Sequence, residues 1–356
     1  MAYTTINKPS DYFRIKLYAG NATNDTAITW DETDTNMQPD WLWIKSRTDT
    51  QSPCIFDSVR GALKRLISAE ANAEGDEATN LDSFDTNGFQ VDGEAIVNGG
   101  SRNYVAWGWK GGTAFSNDAS STSIGDIDSS GTVNTAAGFS VIKATSDGAA
   151  NKDIAHGLGA VPDVIISKNR ERGYNWDVYF KVLGYNAALQ FNTTAVPRTG
   201  AWGSNAFTTT TFETYEDYSS KNGEGYIYYC FAEKQGYTKF GKYVGNGDPT
   251  NGPTIYTGFK PAWVIFKRTD STDQWMIVDN KRNPFNEMTN VLRGDATNAE
   301  ESSPNSYAFD FLSNGFRLKD DDPKINGDDG TYVYMAFAEN PFVTSTGVPT
   351  TAAGAR

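Results

Sequence analysis

The chain has 356 residues and a formal net charge of −13, from 31 Lys and Arg against 44 Asp and Glu. This acidity repels phosphate backbones, so we expect no nucleic-acid partner, and no apolar run approaches the roughly 18 residues that membrane insertion requires. Aromatic residues make up 13% of the chain and glycines number 34, a composition typical of short strands joined by tight turns. The composition therefore predicts an all-β protein.

The N-terminus and the cysteines indicate where the protein is made. The opening stretch MAYTTINKPSDYF lacks the basic start and apolar segment of a secretion signal, so we expect a soluble protein made in a cytoplasm. The two cysteines, Cys54 and Cys230, lie far apart among apolar neighbours. We expect both to be buried free thiols.

One strand motif occurs three times: a proline, an apolar run, and a lysine six residues after the proline. Its copies are PDWLWIKSR at 39–47, PDVIISKNR at 162–170 and PAWVIFKR at 261–268. A second motif follows the prolines after 65, 64 and 71 residues, as YVAWGW at 104–109, YIYYCF at 226–231 and YVYMAF at 332–337. Conserved spacing between two motifs is the signature of an internal repeat.

The repeat predicts three tandem β-sandwich modules of a jelly-roll or lectin-like kind, each long enough to have its own core. We place these modules at residues 1–112, 138–235 and 236–343. Residues 113–137 are rich in Gly, Ser and Thr and are predicted to be a linker, whereas residues 344–356 are predicted to be a flexible tail.

The lysine of the first motif recurs as Lys45, Lys168 and Lys267. Recurrence in three modules with different loops favours an architectural role over catalysis. We expect each strand to end there, with its cation reaching solvent or a neighbouring carboxylate.

An Asp-x-x-Arg pair occurs at one position in two of the three copies. It is Asp57 with Arg60 in the first copy and Asp279 with Arg282 in the third, and the second copy lacks it. We favour a structural ion pair that fixes the loop after the second strand. The alternative is a polar site for a ligand.

Aromatic side chains of the second copy are candidates for stacking on sugar rings. Trp202, Tyr215 and Tyr218 are expected to be exposed, so a host surface glycan is a candidate partner. Trp107 and Trp109 lie on a repeated strand, and we expect them in the core.

Catalytic and metal sites are not indicated by any motif. The single histidine, His156, precedes a Gly-Leu-Gly turn rather than a nucleophile elbow. DIDSSGTVN at 126–134 begins like a calcium loop, but Ala137 stands where the last carboxylate is required. The 44 Asp and Glu residues neither identify nor exclude a pair of catalytic carboxylates for glycoside hydrolysis. We therefore expect no catalytic residue, metal or cofactor.

The quoted motifs, together with HGLGAVPD, CFAEKQGYTKFGKYVGNG and DNKRNPFN, resemble a repeat domain of virion structural proteins in tailed bacteriophages. Such chains are frequent in marine and cyanobacterial phages, and the similarity runs from residue 2 to about residue 343. WDVYFK at 176–181 departs from it, because family members usually have His where this chain has Phe180. The resemblance transfers no catalytic or ligand residue.

The resemblance implies a virion protein that is made in the host bacterial cytoplasm and assembles with other virion proteins. We expect a non-enzymatic component of a tail fibre, spike or appendage that takes part in host adsorption. Fibres and spikes are commonly homotrimers, so we expect a homo-oligomer and favour a trimer. A capsid decoration or head-fibre protein is one alternative, and a glycan-binding module or polysaccharide depolymerase is another.

Overall fold

The computed structural model describes residues 3–200, 202–203, 205–215, 221–302 and 307–350. Within these residues almost all regular structure is antiparallel strand, which confirms the predicted all-β class. The helices of this described part have three or four residues each, and none is long and apolar enough to cross a membrane. They are the 3-10 helices Pro9–Asp11 and Lys181–Leu183 and the α-helices α1 (Ala119–Thr122) and α2 (Pro323–Asn326).

The first module, residues 13–109, combines a large and a small sheet. Its strands are β1 (Phe13–Ala19), β2 (Thr26–Thr29), β3 (Trp41–Ser46), β4 (Cys54–Asp57), β5 (Lys64–Ile67), β6 (Gly75–Asp76), β7 (Leu81–Asp85), β8 (Gly88–Val91) and β9 (Asn103–Trp109). The large sheet has six strands in the order β1-β9-β3-β4-β5-β6, and the small sheet has three in the order β2-β8-β7. The two repeated motifs form β3 and β9, which are neighbours at the centre of the large sheet.

The second module, residues 113–231, has a longer large sheet. Its strands are β10 (Thr113–Asn117), β11 (Ser129–Asn134), β12 (Phe139–Thr145), β13 (Lys152–Ala155), β14 (Val164–Asn169), β15 (Asp177–Phe180), β16 (Ala187–Gln190), β17 (Arg198–Thr199), β18 (Thr211–Thr214) and β19 (Gly225–Phe231). Eight strands form the large sheet in the order β10-β11-β12-β19-β14-β15-β16-β17, and β13 pairs with β18. The repeated motifs again form adjacent central strands, β14 and β19.

The third module, residues 238–341, repeats the strand order of the first. Its strands are β20 (Thr238–Val244), β21 (Thr254–Tyr256), β22 (Phe259–Arg268), β23 (Met276–Asp279), β24 (Asn290–Arg293), β25 (Glu301–Ser302), β26 (Phe309–Leu312), β27 (Gly315–Leu318) and β28 (Thr331–Pro341). The large sheet has the order β20-β28-β22-β23-β24-β25, and the small sheet has the order β21-β27-β26.

Each small sheet covers one face of its large sheet, which gives the sandwich arrangement. In the first module, Leu42 and Ile44 of β3 pack in a cluster with Phe89 of the small sheet. Trp41 and Trp43 alternate with them and point to the opposite face, where they join a different cluster. The repeated strand is therefore buried on both faces, which explains its uninterrupted apolar run.

Residues 113–137 are not an unstructured linker. They form β10, α1 and β11, a hairpin that extends the second large sheet through pairing of β11 with β12. Composition alone suggested flexibility, but Thr132 and Val133 favour extended structure and the neighbouring strand supplies hydrogen-bond partners. Residues 343–350 form a turn in which Val343 pairs with Pro349, and residues 351–356 of the predicted tail lie outside the described residues.

Candidate functional site

The inner faces of the three large sheets meet in one apolar centre, here called the shared core. Trp41 and Trp263 enter it from the repeated strand of the first and third modules, and both are buried. The ring centroid of Trp41 lies 4.3 Å from that of Trp109 in its own sheet and 4.9 Å from that of Tyr229 in the second module. The centroids of Trp109 and Trp263 lie 5.6 Å apart. Aromatic packing at these distances joins the three sheets.

Equivalent residues make equivalent contacts from one module to another. The hydroxyl of Tyr229 donates to Asp57 Oδ2 at 2.7 Å, and Trp107 Nε1 donates to Asp279 Oδ2 at 3.2 Å. The two aspartates end β4 and β23, the strands that follow and pair with the first-motif strands β3 and β22. Tyr229 and Trp107 are the fourth residues of the second motif. Phe180 stands at the aspartate position of the second module. The contact runs from the first module to the second and from the third to the first, which indicates approximate threefold symmetry.

The predicted Asp-x-x-Arg pairs lie inside the protein. Arg60 Nε contacts Asp57 Oδ2 at 2.5 Å and Arg282 Nε contacts Asp279 Oδ2 at 2.6 Å, and all four side chains have 0% exposure. Burial by itself lowers the pKa of Arg60, but the Asp57 carboxylate and its neighbours raise it above its ordinary value. An external ligand has no access to these groups, so their position fits a structural role.

Two glutamates extend these pairs across the module boundaries. Glu74 accepts from Arg60 of its own module at 3.1 Å and from Nε and Nη2 of Arg170 in the second module, both at 3.0 Å. Burial raises the pKa of Glu74, but Arg170 and Arg60 together lower it below its ordinary value. Bidentate pairs of this kind have fixed geometry as well as charge attraction, so they orient one module against the next.

The third module repeats this bridge to the first. Glu300 accepts from Arg282 at 3.1 Å and from Nε and Nη2 of Arg47 at 3.0 and 2.8 Å. The backbone N–H of Glu300 donates to the carbonyl of Arg47 at 2.8 Å, as that of Glu74 does to Arg170. Both glutamates end an Asn-Ala-Glu motif that the first and third copies share, at 72–74 and 298–300. The sequence does not identify their arginine partners in other modules.

Two of the three recurring lysines contact another module, and the expectation that all three reach solvent or a carboxylate is wrong, because each is buried and donates to backbone carbonyls. Lys45 Nζ donates to the carbonyl of Thr297 in the third module at 3.0 Å, and Lys267 Nζ donates to that of Thr194 in the second at 3.3 Å. Lys168 donates to the carbonyl of Arg172 at 3.1 Å. Burial lowers the pKa values of Lys45 and Lys267 to about 8 and that of Lys168 to about 7.

Of the predicted sugar-stacking residues that the structure describes, Trp202 is not exposed. Trp202 is buried, with its ring centroid 5.9 Å from that of Tyr179 and 6.1 Å from that of Phe207. It therefore belongs to the outer core of the second module and presents no face to a sugar. Tyr215 is 37% exposed, and Tyr218 lies outside the described residues.

His156 and Asp128 of the calcium-like loop form hydrogen bonds with backbone groups, which fits a structural role for both. The buried His156 accepts from the N–H of Leu158 at 3.2 Å through Nδ1, and its Nε2 lies 3.3 Å from the carbonyl of Thr208. Burial lowers the pKa of His156 to about 4. Asp128 Oδ1 accepts from the N–H of Ala119 at 2.8 Å. Across the part of the chain that the structure describes, no three His, Cys, Asp or Glu side chains are grouped to hold a metal ion.

A polar groove of about 430 Å³ opens where the β10–β11 hairpin extends the second large sheet. Its side chains come from neighbouring strands and from the chain that follows β14. They include Ser116, Asp118, Asp128, Ser130, Lys143 and Arg170. Apart from the hydroxyl-rich composition of residues 113–137, no sequence signal points to this groove, because the groove depends on strand pairing.

The comparison with protein families covers this whole arrangement. Residues 8–341 match the family described as Domain of unknown function (DUF7483). The chain belongs to this family. No curated protein and no solved structure matches the chain. Because the matched residues include all the strands from β1 to β28, the DUF7483 unit comprises the three large sheets and their shared core rather than a single module.

Proposed function

We propose that this DUF7483 protein is a non-enzymatic structural component of a tailed-bacteriophage virion, in a tail fibre, spike or other appendage that takes part in host adsorption. The observation that supports it best is the shared core, in which three sheets of one chain pack around a common centre. A protein built this way is a rigid block that holds its surface loops in fixed relative positions. Particle appendages that contact a host surface need such a block.

The bridges between modules add to the rigidity. Glu74 and Glu300 each bind arginines of two modules, and both are largely buried. Partly buried bidentate pairs hold orientation better than exposed single pairs, which contribute little. The motif resemblance to virion repeat proteins supports the same role from an independent direction.

The approximate threefold symmetry is relevant to assembly. One chain already places three equivalent sheets around one axis, so it matches a partner with a threefold axis. We propose that other virion proteins supply that partner. The homo-oligomer that we also propose, with a trimer favoured, rests separately on the common trimeric state of fibres and spikes. Analytical ultracentrifugation of the purified chain measures the oligomer directly.

The experiment that tests the function is localisation in the particle. Antibodies against the purified chain are applied to intact virions and followed by electron microscopy, with virions from a phage that lacks the gene as the control. Label on the tail fibres or baseplate supports the proposal. Label on the head instead supports the alternative of a capsid decoration or head-fibre protein. If intact virions carry no label, both proposals are overturned.

A further inference from the structure

The groove of the second module lies on a part of the fold that the other two modules lack. The first and third large sheets have six strands each, and the second has eight because β10 and β11 are added beyond β12. The three sheets meet through their other strands, so the shared core does not require the hairpin. An added element that builds a groove of ligand size, and that the shared core does not need, calls for a role other than stability.

The strand register explains why the groove is polar. Ser116 pairs with Ser130, and Ser130 pairs with Lys143, so these three side chains form a row across β10, β11 and β12. Lys143 and the core residue Val141 are two positions apart and face the same side of the sheet. The groove is therefore the continuation of the core face past the edge of the shared core, where hydroxyls and charges replace the apolar side chains.

The groups in this row are available to a ligand. The hydroxyls of Ser116 and Ser130 and the ammonium of Lys143 have no hydrogen-bond or ion-pair partner within the described residues. Asp128 uses Oδ1 for the N–H of Ala119, and Arg170 uses Nε and Nη2 for Glu74. The groove therefore offers hydroxyls, a carboxylate and a free ammonium within one cavity.

We propose that this groove binds a saccharide through hydrogen bonds. Its volume of about 430 Å³ lies in the range of small-molecule sites and has room for one or two sugar rings. Carboxylates accept from neighbouring sugar hydroxyls, serine hydroxyls both donate and accept, and Lys143 donates to ring hydroxyls or binds an acidic substituent. Among the described residues that line the groove none is aromatic, so recognition depends on polar contacts instead of stacking. The proposal rests on the adsorption role proposed above, to which it adds the chemical class of the ligand.

A matched pair of lysine variants tests the groove. Lys143 is exposed and pairs with Ile227. Lys242 occupies the equivalent position in the third module, where it is exposed and pairs with Val333. The third module has no added hairpin. Lys143→Met removes an ammonium group from the groove. Lys242→Met removes an ammonium group from the equivalent strand position of the third module, outside the groove. Neither side chain is buried, so both variants are expected to keep the melting temperature of the parent.

The full-length chain is applied to an array of neutral and acidic bacterial surface saccharides, and the strongest hit is measured by titration calorimetry. The expected result is a Kd that rises at least about tenfold in Lys143→Met and further in Ser130→Ala/Lys143→Met, with Lys242→Met unchanged. No retention by any saccharide, or retention equal in all variants, overturns the inference. Virion labelling decides the structural role separately, because a chain that labels the tail but binds no sugar loses only the groove assignment.

Discussion

Tyr229 of the second module donates a hydrogen bond of 2.7 Å to Asp57 of the first, and both side chains are fully buried. Burial raises the pKa of Tyr229 well above its ordinary value, and the nearby Asp57 charge raises it further, so the phenol remains a donor at any ordinary pH. This bond joins two modules at the edge of the shared core.

Tyr229→Phe is expected to lower the free energy of unfolding by about 1–3 kcal/mol, because a buried carboxylate loses one of its donors. Tyr179→Phe is the control, since the hydroxyl of Tyr179 is also buried in the second module but has no hydrogen-bond partner among the described residues. Guanidinium denaturation measures both. Equal effects of the two variants would show that the bond to Asp57 contributes nothing.

The buried pair Asp279 and Arg282 gives a second prediction. Arg282→Met leaves the Asp279 carboxylate in the interior without the cation that neutralises it. We therefore expect the free energy of unfolding to fall by about 3–5 kcal/mol. The double variant Asp279→Leu/Arg282→Met removes both charges and is expected to be more stable than the single Arg282→Met variant.

A double-mutant cycle measured by chemical denaturation tests whether the double variant is more stable than the Arg282→Met variant. Strict additivity of the two single losses would contradict it and show that the pair is not coupled. The same cycle on Asp57 and Arg60 of the first module serves as an internal repeat of the experiment.

Asp295 predicts a dependence of stability on pH. Its Oδ1 accepts from the N–H of Trp275 at 3.1 Å, and its Oδ2 is buried without a partner in the described residues. Burial raises the pKa of Asp295 from 3.8 to about 7. The folded state thus binds a proton that the unfolded state has already lost, so stability falls as the pH rises from about 4 to 7, by at most about 4 kcal/mol.

Asp295→Asn is expected to remove this pH slope and to raise stability at pH 8. Asparagine is suited to the site, because Asn192 of the second module occupies the equivalent position and accepts from the N–H of Trp176 at 2.9 Å. Thermal melts between pH 4 and pH 8 measure the slope, with Asp321→Asn at an exposed position as the control. A slope retained in Asp295→Asn would assign the pH dependence to other groups.

The sequence predicted the strands but not what covers them. Trp41 and Trp43 alternate with Leu42 and Ile44, and this pattern shows that both faces of β3 are apolar. It does not show that one face meets the small sheet of the same module while the other meets the second and third modules. Local periodicity reports burial, whereas the identity of the covering surface depends on long-range packing.

The candidate site residues show the same limit. Asp57 and Arg60 were found as a repeated pair, but the partner Tyr229 lies 172 residues away from Asp57 in the chain. Trp202 is predicted from the sequence to be exposed, yet Phe207 and Tyr179 pack against it. The composition of residues 113–137 predicts a linker, but their strand pairing with β12 makes them part of the second large sheet.

The shared core predicts that the modules do not fold as independent units. A fragment of residues 1–112 exposes Trp41, Trp43, Trp107 and Trp109 on one face, on the order of 600–1,000 Å² of aromatic surface, more than a soluble monomer ordinarily shows. We expect this fragment to aggregate, and the full chain to unfold in one cooperative calorimetric transition. Replacing the four tryptophans of the fragment by lysine is expected to restore solubility, because the cluster between its two sheets remains. A parent fragment that is soluble, monomeric and folded would show that the shared core is dispensable.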